Sequence, residues 1–235
     1  MPVTEPLRYR PTDLGARASE PVVEVCWMDL DLDEPACARF AAMLSSEERR
    51  RAERLQFTVD RRRYAVRRGR LRELLGRHLD CDPRDVPITC NAFGKPRVEG
   101  TDVRFNLSHS RGIAMFAFTR GAEIGCDIEW QDPRVDIMKV AETFFARREV
   151  ASLRSLPERQ QKAGFFNCWT RKEAFVKARG GGLSLPLDAF EVSLRPDAAA
   201  AFLSGGAGWS MQAFRPREGF HAAIVVEDLT SGPGL

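Results

Sequence analysis

Long apolar runs are missing from this chain. None of its 235 residues falls in a stretch approaching the roughly 18 uncharged apolar residues of a membrane-spanning helix. The N-terminus carries Pro2, Glu5, Pro6, Arg8, Arg10 and Pro11 and offers no apolar core for a secretory signal. The six cysteines (Cys26, Cys37, Cys81, Cys90, Cys126, Cys168) include no CxxC pair. That speaks against a zinc site or a disulfide framework and for reduced, mostly buried thiols in a cytoplasm. With three histidines and no GxSxG elbow, there is little from which to build a serine triad. What remains is ordinary: 43% apolar and 29% charged residues, enough to bury a core as one large domain or two small ones.

The charge is unevenly placed. Residues 47–77 hold twelve arginines against five acids, a local net of +7, whereas the whole chain carries only +3. Such a concentration is either a solvated helix face or the footprint of a polyanion. The segment shows no recognition motif of a nucleic-acid reader. Phe57 and Tyr64 read as core residues, which leaves no exposed aromatic for base stacking. A small polyphosphate ligand is the better fit, and a nucleic-acid-binding module stays as the alternative.

Residues 1 to about 21 hold four of the fourteen prolines and read as an irregular lead-in. Residues 22–30 mix β-branched and aromatic types, a strand pattern. Ser45 and Ser46 before Glu47 and Glu48 predict a helix N-terminus. Asp60 is the expected cap of a second helix, whose apolar side is Tyr64, Leu71, Leu74, Leu75 and Leu79 and which Pro83 and Pro87 break. Strands are expected over 103–107, 113–118 and 124–129. A short helix follows around Ile137, Val140, Ala141 and Phe144, then a long one over 161–179 that Gly180 to Gly182 ends. Further strands are expected over 189–194, 209–214 and 220–227, and the tail from Thr230 carries no signal. Residues 111–118 weakly echo residues 218–226, and each copy lies downstream of a long charged helix. Two similar α+β halves dividing near residue 120 is the economical reading.

Three clusters carry chemistry. In Asp127-Ile128-Glu129 the alternation of a strand puts both carboxylates on one face, with Cys126 and Ile128 towards the core. Adjacent carboxylates repel, and burying them calls for a cation. Such hard oxygen ligands suit Mg²⁺ with phosphate and water completing its shell. Trp169, Glu173 and Lys177 share one helix side, so the indole draws a carboxylate and an amine inwards with it. Glu142 lies off its helix's apolar stripe. Asn106-Leu-Ser-His-Ser-Arg111 brings hydroxyls, an imidazole and a guanidinium to a strand end, suited to a pyrophosphate. Gly94 and Lys95 form a turn with a cation at its tip.

In order, these pieces resemble a known family. Phe93-Gly-Lys-Pro-Arg97, Phe105-Asn-Leu-Ser-His-Ser110, Ile124-Gly-Cys-Asp-Ile-Glu129, Phe144-Phe145 with Glu149, Phe166-Asn-Cys-Trp-Thr-Arg-Lys-Glu-Ala-Phe-Val-Lys177 and Gly182-Leu-Ser-Leu-Pro-Leu-Asp-Ala-Phe190 are similar to motifs of 4′-phosphopantetheinyl transferases of the Sfp type. The resemblance implies an α+β fold of two similar subdomains, 1–120 and 121–235, related by a pseudo-twofold axis, each a small antiparallel sheet packed on a long helix. It implies transfer of the phosphopantetheine arm of coenzyme A to a serine of an acyl or peptidyl carrier protein, with Mg²⁺, releasing adenosine 3′,5′-bisphosphate. Asp127, Glu129 and Glu173 match the metal ligands. Glu173 is also the favoured base, and Lys177 matches the lysine that meets the leaving phosphate. Glu142 matches a further acid near the metal. Ser108 and His109 match contacts to the coenzyme A phosphates. Gly94, Lys95 and Pro96 match contacts at the nucleotide end, and Arg51 and Arg63 match basic positions near the 3′-phosphate. Glu48 departs from the pattern, standing where some members carry a second cation. The two-half layout makes a dimer unnecessary, so a monomer is expected. A Mg²⁺-dependent phosphohydrolase using the same acids is the remaining alternative.

Overall fold

The structure is a computed structural model that describes residues 7–9, 21–182 and 185–229. The strands come first as β1 (Leu7–Tyr9) and β2 (Val23–Asp29), followed by helices α1 (Glu34–Ala41), α2 (Ser46–Glu53) and α3 (Thr58–Leu79). A small hairpin, β3 (Ile88–Cys90) and β4 (Pro96–Val98), leads into β5 (Val103–Ser110) and β6 (Ile113–Arg120). The plan then repeats: β7 (Ile124–Trp130), three helices α4 (Ile137–Phe144), α5 (Arg147–Ser155) and α6 (Glu158–Arg179), a short pair β8 (Glu191–Val192) and β9 (Phe202–Ser204), and finally β10 (Trp209–Phe214) and β11 (Phe220–Glu227).

Sheet order shows the repetition directly. One sheet runs β1-β2-β6-β5 and the other β10-β11-β7, all antiparallel. In each run the first long strand pairs with the last, and the last with the one before it. The echoing segments are the counterparts β6 and β11, each an inner strand. The fold is α+β.

Side-chain parity explains the layering. From β6, Ala114, Phe116 and Phe118 join Val66, Leu71, Leu74 and Leu75 of α3 in one core. The alternate residues Ile113, Met115 and Ala117 meet Ile124, Cys126 and Ile128 of β7 and Ala222, Ile224 and Val226 of β11 in a core between the two sheets. The far face of β11, through Ala223 and Val225, packs with Phe165, Ala174, Phe175 and Ala178 of α6. Both faces of β6 and β11 are covered, so their sequences are continuous apolar runs rather than alternating ones.

Several local expectations need correction. Phe57, not Asp60, is the N-cap of α3, and Asp60 sits in its first turn. Phe57 is 60% exposed and not a core residue, whereas Tyr64 is buried as expected. The helix ends before Pro83, at Leu79, because Asp80 turns left-handed (φ 52°). α6 begins at Glu158 rather than 161 and stops where Gly180 adopts φ 65°. The strand expected over 189–194 is only the two residues of β8. α1, α5, β3, β4 and β9 are additional elements. Of the expected lead-in, residues 7–9 form β1 against β2. Its remainder up to residue 20 and the tail from Thr230 lie outside the described residues. Among the described residues no helix is long and apolar enough to cross a membrane, and the six cysteines are free thiols, four of them buried.

Candidate active site

The site forms where β5, β7 and α6 meet. β5 and β7 are the edges of different sheets, and polar side chains join them. The alternating Asn106, Ser108 and Ser110 share one side of β5. Asn106 Oδ1 accepts from the Cys126 backbone N–H (3.0 Å), and Ser110 Oγ accepts from that of Trp130 (3.1 Å). Ser108 Oγ donates to Asp127 Oδ1 (2.8 Å) and Ser110 Oγ donates to Glu129 Oε2 (2.7 Å). The N-x-S-x-S pattern thus supplies the hydrogen bonds that a backbone ladder would otherwise make.

α6 reaches β7 through a glycine. A Cβ on Gly125 would lie 2.1 Å from the Ala174 carbonyl oxygen and 2.2 Å from the Ala178 nitrogen. Only a bare backbone lets the helix come this close. The contact sets Glu173 and Lys177 beside the acids of β7. Lys177 Nζ donates to Asp127 Oδ1 (2.6 Å) and Ser108 Oγ (3.1 Å). A pocket of about 320 Å³ results, lined by Leu107, Ser108, His109, Asp127, Glu129, Trp169, Glu173 and Lys177. Asp127, Glu129, Glu173, Lys177, Ser108 and His109 are therefore brought together, and the sequence parity of Asp127 and Glu129 is that of the fold.

The electrostatics are those of a site short of positive charge. Asp127 is 2% exposed, and its Oδ2 has no hydrogen-bond partner among the described residues. Burial, then the charge of Asp127, pushes Glu129 up to about 7, partly offset by the Ser110 hydrogen bond and by Lys177. The same two causes raise Glu173. Burial works against the charge on Lys177, but Asp127 outweighs it and holds the ammonium above the ordinary lysine value. An orphaned buried carboxylate oxygen beside two acids that resist ionisation fits a hard divalent cation held by oxygen. The three acids line one pocket without closing on a point. Lys177 already meets Asp127, and among the described residues no group of three His, Cys, Asp or Glu is gathered tightly enough to grip an ion.

A second cleft of about 590 Å³ adjoins the first and shares Leu107, Glu173 and Lys177 with it. Gly94, Lys95 and Pro96 line it together with Phe144, Leu185 and Leu187. The Lys95 ammonium is used internally, on Glu123 (2.6 Å) and the Ala178 carbonyl (2.8 Å), and so ties the β3–β4 turn to the end of α6.

The cationic residues divide into paired and unpaired. Arg63 forms a bidentate pair with Asp31 (2.7 and 2.6 Å). Glu48 is buried, completes the capping box of α2 with Ser45, and accepts from Arg68 and Arg72. Its carboxylate, which burial alone would raise, is held below the usual range by those guanidiniums. Glu48 is thus an anchor for α3. Arg67, not singled out by its sequence position, makes no ion pair among the described residues. It lies over the Tyr64 ring (5.2 Å), with Arg51 on the same ring (6.0 Å). Burial and, among the surrounding charges, the cations Arg51 and Arg68 lower its pKa. His109 keeps an exposed edge, yet it is pushed down to about 4, first by the protein packed around its ring and then by Arg67, Lys177 and Arg63. Glu142 lies apart, half exposed on α4 and ion-paired with Arg154. Glu149 is buried with Lys172 (2.8 Å), joining α5 to α6.

Acids and cations are thus gathered around one pair of adjoining clefts, and comparison with known proteins says to which family the chain belongs. Residues 123–225 match the sequence model of the 4′-phosphopantetheinyl transferase superfamily. The chain is 37% identical to the 4′-phosphopantetheinyl transferase HetI of Nostoc sp. (strain PCC 7120) over 92% of both chains. It is 33% identical to the 4′-phosphopantetheinyl transferase Sfp of Bacillus subtilis over 73% of this chain and 75% of that one. It is 37% identical to the 4′-phosphopantetheinyl transferase psf-1 of Bacillus pumilus over 67% of this chain and 66% of that one. The chain belongs to the 4′-phosphopantetheinyl transferase family.

Proposed function

We propose that this protein transfers the 4′-phosphopantetheine arm of coenzyme A to a serine of an apo acyl or peptidyl carrier protein and releases adenosine 3′,5′-bisphosphate. The observation that carries the residue assignment is the orphaned Asp127 Oδ2, buried in the pocket that also receives Glu129, Glu173 and Lys177. Asp127, Glu129 and Glu173 would hold Mg²⁺, which when bound neutralises charge on the pyrophosphate. Glu173, its proton affinity raised by burial, takes the proton of the carrier serine. The serine oxygen then forms a bond to the phosphorus that bears pantetheine, and the bond from that phosphorus to the bridging oxygen breaks. Lys177 meets the negative charge left on the departing phosphate. His109, with Arg51 and Arg67, which make no ion pair among the described residues, faces the anionic end of coenzyme A, while Gly94 to Pro96 line the adjoining cleft.

We place the division into two subdomains near residue 120, where the repeated topology restarts. Six free thiols accord with a cytoplasmic protein. The repeated halves supply both walls of the site within one chain, which accords with a monomer.

The test is direct. With coenzyme A, Mg²⁺ and an apo carrier protein, intact mass should show the carrier gaining one phosphopantetheine arm. Asp127→Asn should lower turnover by about a thousandfold, with the far-UV circular dichroism spectrum unchanged. Release of phosphate without any carrier would instead mark a phosphohydrolase.

A further inference from the structure

Ser110 is the last residue of β5 and does two things with one hydroxyl. Its oxygen accepts from the Trp130 N–H (3.1 Å), and its single proton is donated to Glu129 Oε2 (2.7 Å). The first bond fixes the oxygen and the second uses the proton, so the hydroxyl has one orientation. The next residue strengthens the anchorage. Arg111 has φ 53°, a backbone region that side-chain-bearing residues seldom adopt. Its guanidinium lies 4.2 Å from the Trp130 ring centre and pairs with Asp132 (2.9 Å). The end of β5 is therefore clamped onto the end of β7 by Ser110 and by the residue that follows it. Glu129 has no other hydrogen-bond partner among the described residues. Its neighbour Asp127, by contrast, is held by both Ser108 and Lys177. Where Asp127 would keep its place without Ser108, Glu129 has Ser110 alone.

We propose that Ser110 is a positioning residue that aims the Glu129 carboxylate at the divalent cation, and that the clamp of Arg111 on Trp130 and Asp132 keeps it there. This rests on the reading that Asp127, Glu129 and Glu173 hold the ion. It adds that the acid with the fewest protein contacts depends on one hydroxyl across the junction of the two sheets. A carboxylate whose orientation is fixed before binding loses less freedom when the ion arrives, and removing such a support typically weakens metal binding at least tenfold.

The experiment uses the full chain with coenzyme A and no carrier protein. Mn²⁺ is titrated and its free concentration followed by electron paramagnetic resonance, with coenzyme A alone as the baseline. Ser110→Ala should bind Mn²⁺ about tenfold more weakly than the parent, with the far-UV circular dichroism spectrum unchanged. Ser110→Thr, which restores the hydroxyl, should return to the parent affinity. Ser110→Cys, similar in size but a poor donor, should follow Ala. Parent affinity in Ser110→Ala or Ser110→Cys, with binding lost in Asp127→Ala, overturns the role of Ser110 and leaves the metal site standing. Parent affinity in Asp127→Ala overturns the metal site itself. Should Ser110→Ala not fold, the contrast between Thr and Cys decides the question.

Discussion

The two 22-residue helices, α3 and α6, pack alike and leave opposite charges over. Each lies across one face of its own sheet. On α3 most cations are spent on structure: Arg62 on Glu34, Arg63 on Asp31, Arg68 and Arg72 on Glu48, Arg70 on Glu73. What remains towards the site is cationic, Arg67 beside His109. On α6 and β7 the buried Lys172 is spent on Glu149, and what remains towards the site is acidic: Glu173, Glu129 and Asp127 against Lys177 alone. A repeated fold has thus been charged asymmetrically. One wall suits an anion and the other suits a cation that itself binds anions, which is what a substrate with phosphates at two separated places requires.

The hardest way to break the comparison is to push α6 off its sheet. Gly125→Ala places a methyl carbon 2.1 Å from the Ala174 carbonyl oxygen, a backbone atom that has nowhere to move without the helix. We expect a loss of about 3 kcal/mol in stability, read by urea denaturation, and loss of transfer activity even where the chain still folds. A stability within about 0.5 kcal/mol of the parent would mean that the close approach does not position the acids.

Proton uptake tests the second half next. His221 on β11 is 2% exposed; its Nδ1 contacts Asn167 Oδ1 and its Nε2 contacts Gln131, both at 2.7 Å. Because Asn167 Nδ2 donates to the Leu194 carbonyl, its Oδ1 must accept from His221, which leaves Nε2 to accept from Gln131. The ring is neutral. Burial, then Arg215 and Arg171, pushes it down to about 4. Its folded value lies below its unfolded one, so its contribution is intact above about pH 6.5 and falls away as the pH drops towards 4. This should cost about 3 kcal/mol across that window. His221→Gln should flatten the slope of stability against pH across that window. An unchanged slope would show that His221 is not held neutral.

What could be read from the chain, and what could not, follows the range of the interaction. The shared face of Asp127 and Glu129 needs only the two-residue repeat of a strand. The common side of Trp169, Glu173 and Lys177 needs only the helical turn. Both periodicities are local, and both are realised. Asp60 is a poor guide to the start of α3 because an acid in the first turn looks like a cap, and Phe57 escapes the pattern because an aromatic ordinarily turns inwards. α1, capped by Asp33, spans only eight residues, too few for a helical period to declare itself. Ser110 acts on Glu129 only because edges of two sheets lie together, and no local pattern announces that. Nor does any pattern say which of twelve arginines is paired, since Asp31 and Glu48 come from other elements.

That last point gives the finest test. The family resemblance matches Arg51 and Arg63 to positions near the 3′-phosphate, whereas the geometry commits the Arg63 guanidinium to Asp31 and leaves Arg67 without an acid partner among the described residues. A half-buried cation repelled by Arg51 and Arg68 gains most when an anion arrives. Arg67→Ala should raise KM for coenzyme A about tenfold, the worth of one charge-assisted hydrogen bond, with little change in kcat. For coenzyme A lacking the 3′-phosphate, the same substitution should change KM less than about twofold. Arg63→Ala removes a partly exposed ion pair worth less than about 1 kcal/mol, and it should leave the discrimination between the two substrates as it is. Raising the salt concentration should shrink the Arg67 effect, because the pair it forms with phosphate is reached by solvent ions. If instead Arg63→Ala erases the preference for the 3′-phosphate and Arg67→Ala does not, the Asp31 pair opens on binding, and the division between structural and functional cations on α3 has been drawn in the wrong place.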